Sequence, residues 1–375
     1  MSSLRKIGEC RWLALVLLTA SAGCSSEPQQ HSERTRVCKD RAFTEFFRRS
    51  SGWTAGDGAL SIPLSDGRVL WLFGDSHVDD YDAASGTIPC LFQTRNAGLL
   101  HRKEDLGNVQ TLIGQGPGFK SWFKKSDGID SWFWPVNGFQ SGDFIFVYLS
   151  SLRKTAAGGQ WGFQSTGRDY WAKVSFPQMK EIAYSVPPAF DGITFGQGFV
   201  NEGEYTYAFG GRQKGIGSDV FVARFKSAAP EGEWTFWDGH SWNANVAKAA
   251  VIARGASTSI HVCKVKNKFL LTTCAFSVAC DQGKEIYMAT SRGPTGPFSP
   301  LKRIFTVDDT FQGHYPFFYL PVAHPEFINQ QGELLVTYSI NGYEPCVSAC
   351  VNGSAIPDHY RPKAIRVPLD LVGTK

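Results

Sequence analysis

Two aspartates stand out for the residues around them. Asp57 lies in Gly52-Trp53-Thr54-Ala55-Gly56-Asp57-Gly58, and Asp75 follows eighteen positions later in Phe73-Gly74-Asp75-Ser76-His77. Glycine flanks Asp57 on both sides and precedes Asp75. Aspartate is a poor strand former, and at a strand end its usual work is capping a turn or facing water. Repeated glycine does more than make a turn, because it lets backbone pass close to a ligand. Two such aspartates at matching ends of adjacent antiparallel strands would bring two carboxylates together. That is the minimum equipment for cutting a glycosidic bond: one acid protonates the leaving oxygen, and one carboxylate activates water or attacks the sugar.

The elements that must position this pair recur along the chain. A strand, a polar turn and an aromatic-rich second strand repeat five times, beginning near Gly58, Trp134, Phe195, Ser257 and His324. Their turns fall at Asp66-Gly67, Gly142-Asp143, Glu202-Gly203, Lys266-Asn267 and Gln331-Gly332, all with hairpin chemistry. Further strands are predicted at Arg95-Arg102, Asp169-Phe176, Asp219-Phe225 and Glu285-Gly293. Helical periodicity is hard to find. Four-stranded units at this spacing predict an all-β, five-bladed β-propeller forming one domain over residues 38–375.

In such a ring, loops at equivalent strand ends converge on one funnel. The expected lining is Trp53, His77, Arg95, Asn96, Trp134, Asn137, Gln197, Arg212, His324, Glu326 and Asn341, a polar and aromatic set suited to sugar. Trp53, beside the Asp57 motif, is the expected stacking platform. His324 and Glu326 are two apart, so on one strand they would share a face. Their structural alternative is a hydrogen-bonded histidine beneath the channel. Asp66, Asp143 and Glu202 are read as turn residues. Asp79, Asp80 and Asp82 cluster near Asp75 but lack the EF-hand spacing, so no cofactor is expected, and no motif supports a channel-bound ion such as calcium.

The first 23 residues read as an export signal: Arg5, Lys6 and Arg11 precede the short apolar run Trp12 to Leu18. Ser21-Ala22-Gly23-Cys24 is similar to a bacterial lipobox, which implies lipid on Cys24, a membrane anchor and, with Ser25 following, the outer membrane of a Gram-negative cell. Residues 24–37 read as a flexible tether. The formal charge is +4, and the leader carries three basic residues and one acidic, so the remainder is close to neutral and gives no reason to invoke nucleic acid. The expected partner is a polysaccharide or oligosaccharide, and the expected state a monomer. In an exported chain, cysteines are disulfide candidates. The pairings expected are Cys38–Cys90, Cys274–Cys280 and Cys346–Cys350, leaving Cys263 as a buried free thiol. A zinc site is disfavoured, because no Cys-x-x-Cys pair is present.

The Gly-Trp-Thr-x-Gly-Asp-Gly opening, the Leu70-Trp71-Leu72-Phe73-Gly74-Asp75-Ser76 hairpin and the segment His324-Pro325-Glu326-Phe327 through Tyr338 carry a resemblance. They resemble a group of bacterial secreted proteins long filed as domains of unknown function. That group comprises five-bladed propellers similar to arabinanase-like furanosidases, and some members are similar to endo-acting D-arabinanases. The resemblance implies that Asp57 and Asp75 are an acid/base pair. The better-known arabinanase-like enzymes place a glutamate on the third inner strand. Here that strand begins Phe195-Gly196-Gln197, so the resemblance assigns the aspartate pair alone. The expectation is a hydrolase of furanoside polysaccharide such as arabinan, with Asp57 as base or nucleophile and Asp75 as acid. The competing expectation is a surface lipoprotein that binds glycan without cutting it.

Overall fold

The computed structural model describes residues 37–92, 94–114, 120–124, 130–155, 162–342, 347 and 349–373. The expected leader, most of the expected tether, the expected lipid site Cys24 and Cys346 lie outside the described residues.

The described chain is nearly all β, arranged as a succession of antiparallel sheets. The first sheet runs Leu60–Pro63, Arg68–Phe73, Ala97–Arg102, Gln110–Leu112. The second runs Ser131–Ser141, Phe144–Lys154, Tyr170–Ser175, Lys180–Ser185. The third begins Thr194–Glu202, Tyr205–Lys214, Gly217–Lys226, Trp234–Trp237. The fourth runs Ile260–Val265, Lys268–Cys274, Glu285–Ser291, Lys302–Thr306. The fifth runs Phe317–His324, Glu333–Asn341, Lys363–Pro368 and then Cys38–Lys39. The N-terminal strand therefore completes the C-terminal sheet, with Cys38 opposite Arg366. A buried ion pair, Arg366 Nε to Asp40 Oδ2 at 2.5 Å, fastens that junction. Asp40 also caps the short helix Arg41–Phe46 by accepting from the Phe43 N–H at 3.0 Å.

The core lies between sheets. Leu70 and Leu72 of the first sheet pack with Ile145 and Val147 of the second. Tyr148 and Trp171 of the second meet Phe195 and Phe221 of the third. Phe209 and Val222 of the third meet Val262 and Leu271 of the fourth. Leu270 and Ile286 of the fourth meet Leu334 and Val336 of the fifth. Trp71 and Phe73 of the first meet Phe327, Leu335 and Ala364, in and beside the fifth. Each sheet thus covers the apolar face of its successor, and the fifth covers the first. Burying one such side chain contributes about 1.5–3 kcal/mol, so this apolar packing between sheets is the main cohesion of the molecule.

Four hairpins fall where their turns predict. The fifth does not begin at His324: its inner strand is Phe317–His324, and the chain then makes a short 3-10 turn, Pro325–Phe327. Pro321, inside that strand, hides it in the sequence, because proline cannot donate to a ladder. The expected disulfides are also corrected. Cys90 pairs with Cys350, so neither Cys38–Cys90 nor Cys346–Cys350 forms. Cys274 is a buried free thiol, so Cys274–Cys280 does not form either. The Cys90–Cys350 bond joins residues 260 apart, which only the fold brings together. Cys263 is buried and free, as expected.

Candidate active site

The strand Trp53–Gly56 and the strand Ser76–Val78 pair antiparallel, with Gly56 opposite Ser76. This small ribbon leads into and out of the first sheet. It places Asp57 where the chain enters the inner strand and Asp75 where the chain leaves the second. The Gly74 N–H donates to the Asp57 carbonyl at 2.9 Å, closing the gap between them. A methyl group on Gly74 would lie 2.5 Å from Asp57 Oδ1 and 3.8 Å from Trp134 Cδ1. The Asp57 carboxylate therefore rests against the backbone next to Asp75, in space that only glycine leaves open.

Each carboxylate has its own partners. Asp75 Oδ1 accepts from Trp134 Nε1 at 3.1 Å and from Arg95 Nη1 at 3.4 Å. The Arg95 guanidinium also lies 4.0 Å over the Trp132 ring. Asp57 Oδ2 accepts from the Tyr319 hydroxyl at 2.8 Å, and Tyr360 donates to the same carboxyl group. Asp75 is only 4% exposed, whereas Asp57 is partly exposed. Burial pushes Asp75 up to about 7; Arg95 opposes this, the nearby Asp57 charge adds to it, and the Trp134 hydrogen bond pulls the other way. Burial pushes Asp57 up to about 6, against hydrogen bonds from Tyr319 and Tyr360. Burial thus holds both of these coupled carboxyl groups above the ordinary carboxylate range.

The structure sorts the expected lining. Arg95 and Trp134 touch Asp75, and Asn341 bonds Tyr319 behind Asp57. Gln197 is partly exposed on a bulge of the third inner strand. Arg212 is exposed and holds the Asp191 carbonyl at 2.8 Å. The others are corrections. Trp53 is fully buried, packed on Phe73 at 4.3 Å, so no sugar can stack on it. His77 is fully buried and bonded through Nδ1 to Asp80 at 2.6 Å. Asn96 is fully buried and joins the first two sheets through Phe123 N, Phe123 O and Phe133 O. Asn137 is buried, its Oδ1 accepting from Gly138 N at 2.8 Å. His324 is fully buried at the far end of its strand, bonded to Ser61 and Thr337, and Glu326 accepts from the same Ser61. The hydrogen-bonded structural histidine is therefore the correct reading. Polar residues in β-rich sequence look alike whether they line a mouth or tie sheets together; only depth separates them.

Two neighbours of Asp57 escaped the sequence reading: Tyr319 and Tyr360 sit in stretches without a motif. Among the described residues, no group of three or more His, Cys, Asp or Glu side chains is arranged to hold a metal ion.

A crystal structure from Bacteroides ovatus ATCC 8483, described as a candidate hydrolase, superimposes with a TM-score of 0.70 at 19% identity, covering 88% of this chain and 90% of that one. The alpha-L-arabinofuranosidase of Lactobacillus brevis aligns with a TM-score of 0.46 at 13% identity over 84% of this chain and 92% of that one. The exo-beta-1,3-galactanase of Phanerochaete chrysosporium aligns with a TM-score of 0.47 at 11% identity over 86% of this chain and 64% of that one. No curated protein matches the sequence. The Bacteroides likeness shows a shared fold. A family model, "Domain of unknown function (DUF5005)", matches residues 40–369, and the chain belongs to that family.

Proposed function

We propose that the protein is a glycoside hydrolase acting on a furanoside-containing polysaccharide such as arabinan. Its five sheets are read as the blades of a five-bladed β-propeller, since each inner strand neighbours the next. The observation that carries the proposal is the carboxylate pair: Asp57 lies against the backbone beside Asp75, and burial raises both carboxyl groups toward neutrality. Asp57, the more exposed of the two, is read as the charged member, and the buried Asp75 as the one that keeps its proton. Asp57 is then the base or nucleophile. Asp75 is the acid that protonates the leaving oxygen. Arg95 and Trp134 hold Asp75 in place, and the partly exposed Trp134 indole offers an apolar face to a sugar ring.

The test is incubation with arabinan, arabinogalactan and lipoarabinomannan, followed by analysis of released oligosaccharide. Asp57→Asn and Asp75→Asn should each lower the rate at least about 10²-fold. Near-full activity in both variants removes the mechanism. The low exposure of Asp75 favours one second reading, a glycan-binding protein without catalysis, and binding without products selects it. Lipid on Cys24 and an outer-membrane location complete the proposal. Labelled palmitate that enters a Cys24→Ala variant as well as the wild type would exclude them.

A further inference from the structure

The inner strand of the fifth sheet is irregular at one point. Its ladder with Glu333–Asn341 runs regularly from Phe317 opposite Asn341 to Tyr319 opposite Ser339, then slips, and resumes at Val322 opposite Thr337. Leu320 and Pro321 thus face a single residue, which makes a β-bulge. Leu320 has φ +49°, in the left-handed region that a residue with a Cβ adopts at a cost. Its N–H is taken up by Ser259 Oγ at 3.3 Å, from the segment leading into the fourth sheet.

The bulge has a visible consequence next to it. The Tyr319 ring stacks on Phe317 at 4.4 Å and 14°, and its hydroxyl reaches Asp57 Oδ2. The Asn341 side chain bonds the same phenol oxygen. A phenol has one proton to donate. With an amide N–H entering its oxygen, that proton must go to Asp57. We infer that Tyr319, set by the Leu320–Pro321 bulge and oriented by Asn341, is the positioning residue that holds the Asp57 carboxylate by donating to it and so favours its charged form. The inference rests on the hydrolase reading for its purpose but not for its geometry. The other groups facing Asp57 are Tyr360, from the segment before the last strand, and Asp75, with Arg95 beyond it. Tyr360 is a second donor, so loss of Tyr319 alone should weaken the preference for the charged form rather than abolish it.

The test compares wild type, Tyr319→Phe and Asn341→Ala. Tyr319→Phe keeps the ring and its stacking and removes only the donor. The Asp57 carboxyl is titrated directly by carbon NMR, its signal assigned by its loss in Asp57→Asn. In Tyr319→Phe the Asp57 titration should move up by about one pH unit, the size expected for one hydrogen bond to a charged group. The acid limb of kcat/KM should move with it, giving about a tenfold loss below the limb and little change above it. Asn341→Ala should shift both in the same direction by less. An unmoved Asp57 titration in Tyr319→Phe overturns the inference. A moved titration in a protein that releases no oligosaccharide upholds the inference and overturns the hydrolase reading. Hydrolysis whose acid limb stays in place in Tyr319→Phe does the reverse.

Discussion

Gly74→Ala is the sharpest probe of the site. The new methyl would sit 2.5 Å from Asp57 Oδ1, and real Cβ contacts essentially never fall below 3.0 Å. Ordinary contact begins near 3.4 Å, so the carboxylate must retreat by roughly 0.9 Å. The retreat is cheap for folding. The obstructed atom is the tip of a side chain, Gly74 has no left-handed φ, and alanine reduces the freedom of the unfolded chain by about 0.4–1 kcal/mol. The retreat is expensive for chemistry, because it strains the 2.8 Å bond from Tyr319 and misplaces the reacting carboxylate. A displacement of about 1 Å costs on the order of 10²-fold in rate. The assay is kcat/KM on arabinan together with the thermal midpoint, with Gly293→Ala as control, since nothing lies within 4 Å of that glycine. The expected result is about a hundredfold loss at Gly74 with a midpoint within a few degrees of wild type. Activity within about threefold of wild type would refute the placement of Asp57 as a reacting group.

Other consequences can be measured alongside. Activity should follow a bell centred between the values of about 6 and about 7, because Asp57 protonates below the lower and Asp75 ionises above the upper; a flat profile from pH 5 to 8 contradicts the pair. Asp75 also makes stability depend on pH. Its folded value of about 7 lies above the ordinary 3.8, so its contribution is favourable at low pH and is lost as pH rises from 3.8 through 7. Asp75→Asn should therefore be more stable than wild type at pH 8, by on the order of a few kcal/mol of unfolding free energy, and the gain should vanish near pH 3.5; a lower urea midpoint than wild type at pH 8 contradicts the burial penalty. Asn96→Ala strands three buried backbone groups and should cost about 2–4 kcal/mol in urea unfolding. Its activity per folded molecule should stay near wild type, since the residue ties sheets rather than touching the carboxylates. Replacing both Cys90 and Cys350 by Ser should cost about 2–4 kcal/mol, and an unchanged urea midpoint would show that the bond is dispensable.

Much of the architecture can be read from residues alone, because hairpin turns and alternation are local. Asp66-Gly67 between Leu60–Pro63 and Arg68–Phe73 specifies a turn through its own chemistry, and the neighbouring strands follow from period-two burial. The fifth inner strand was lost for the opposite reason: Pro321 and a left-handed Leu320 break every local strand rule, and only the packed neighbours hold them in place. The aspartate pair was visible because glycines flag close backbone approach. Its surroundings were not. Trp53, His77 and Asn96 share composition with a sugar-binding mouth yet lie in the interior, while Tyr319 and Tyr360 reach Asp57 from stretches with no signature.

The amino-acid order by itself determined four of five hairpins and singled out two glycine-flanked aspartates, since each depends on residues near in sequence. Tertiary structure alone decided which polar side chains are buried between sheets, which cysteines meet across 260 residues, and how far burial raises the two carboxyl groups. Those outcomes depend on depth and on distant partners, and burial acts on a charge only once the sheets have closed around it.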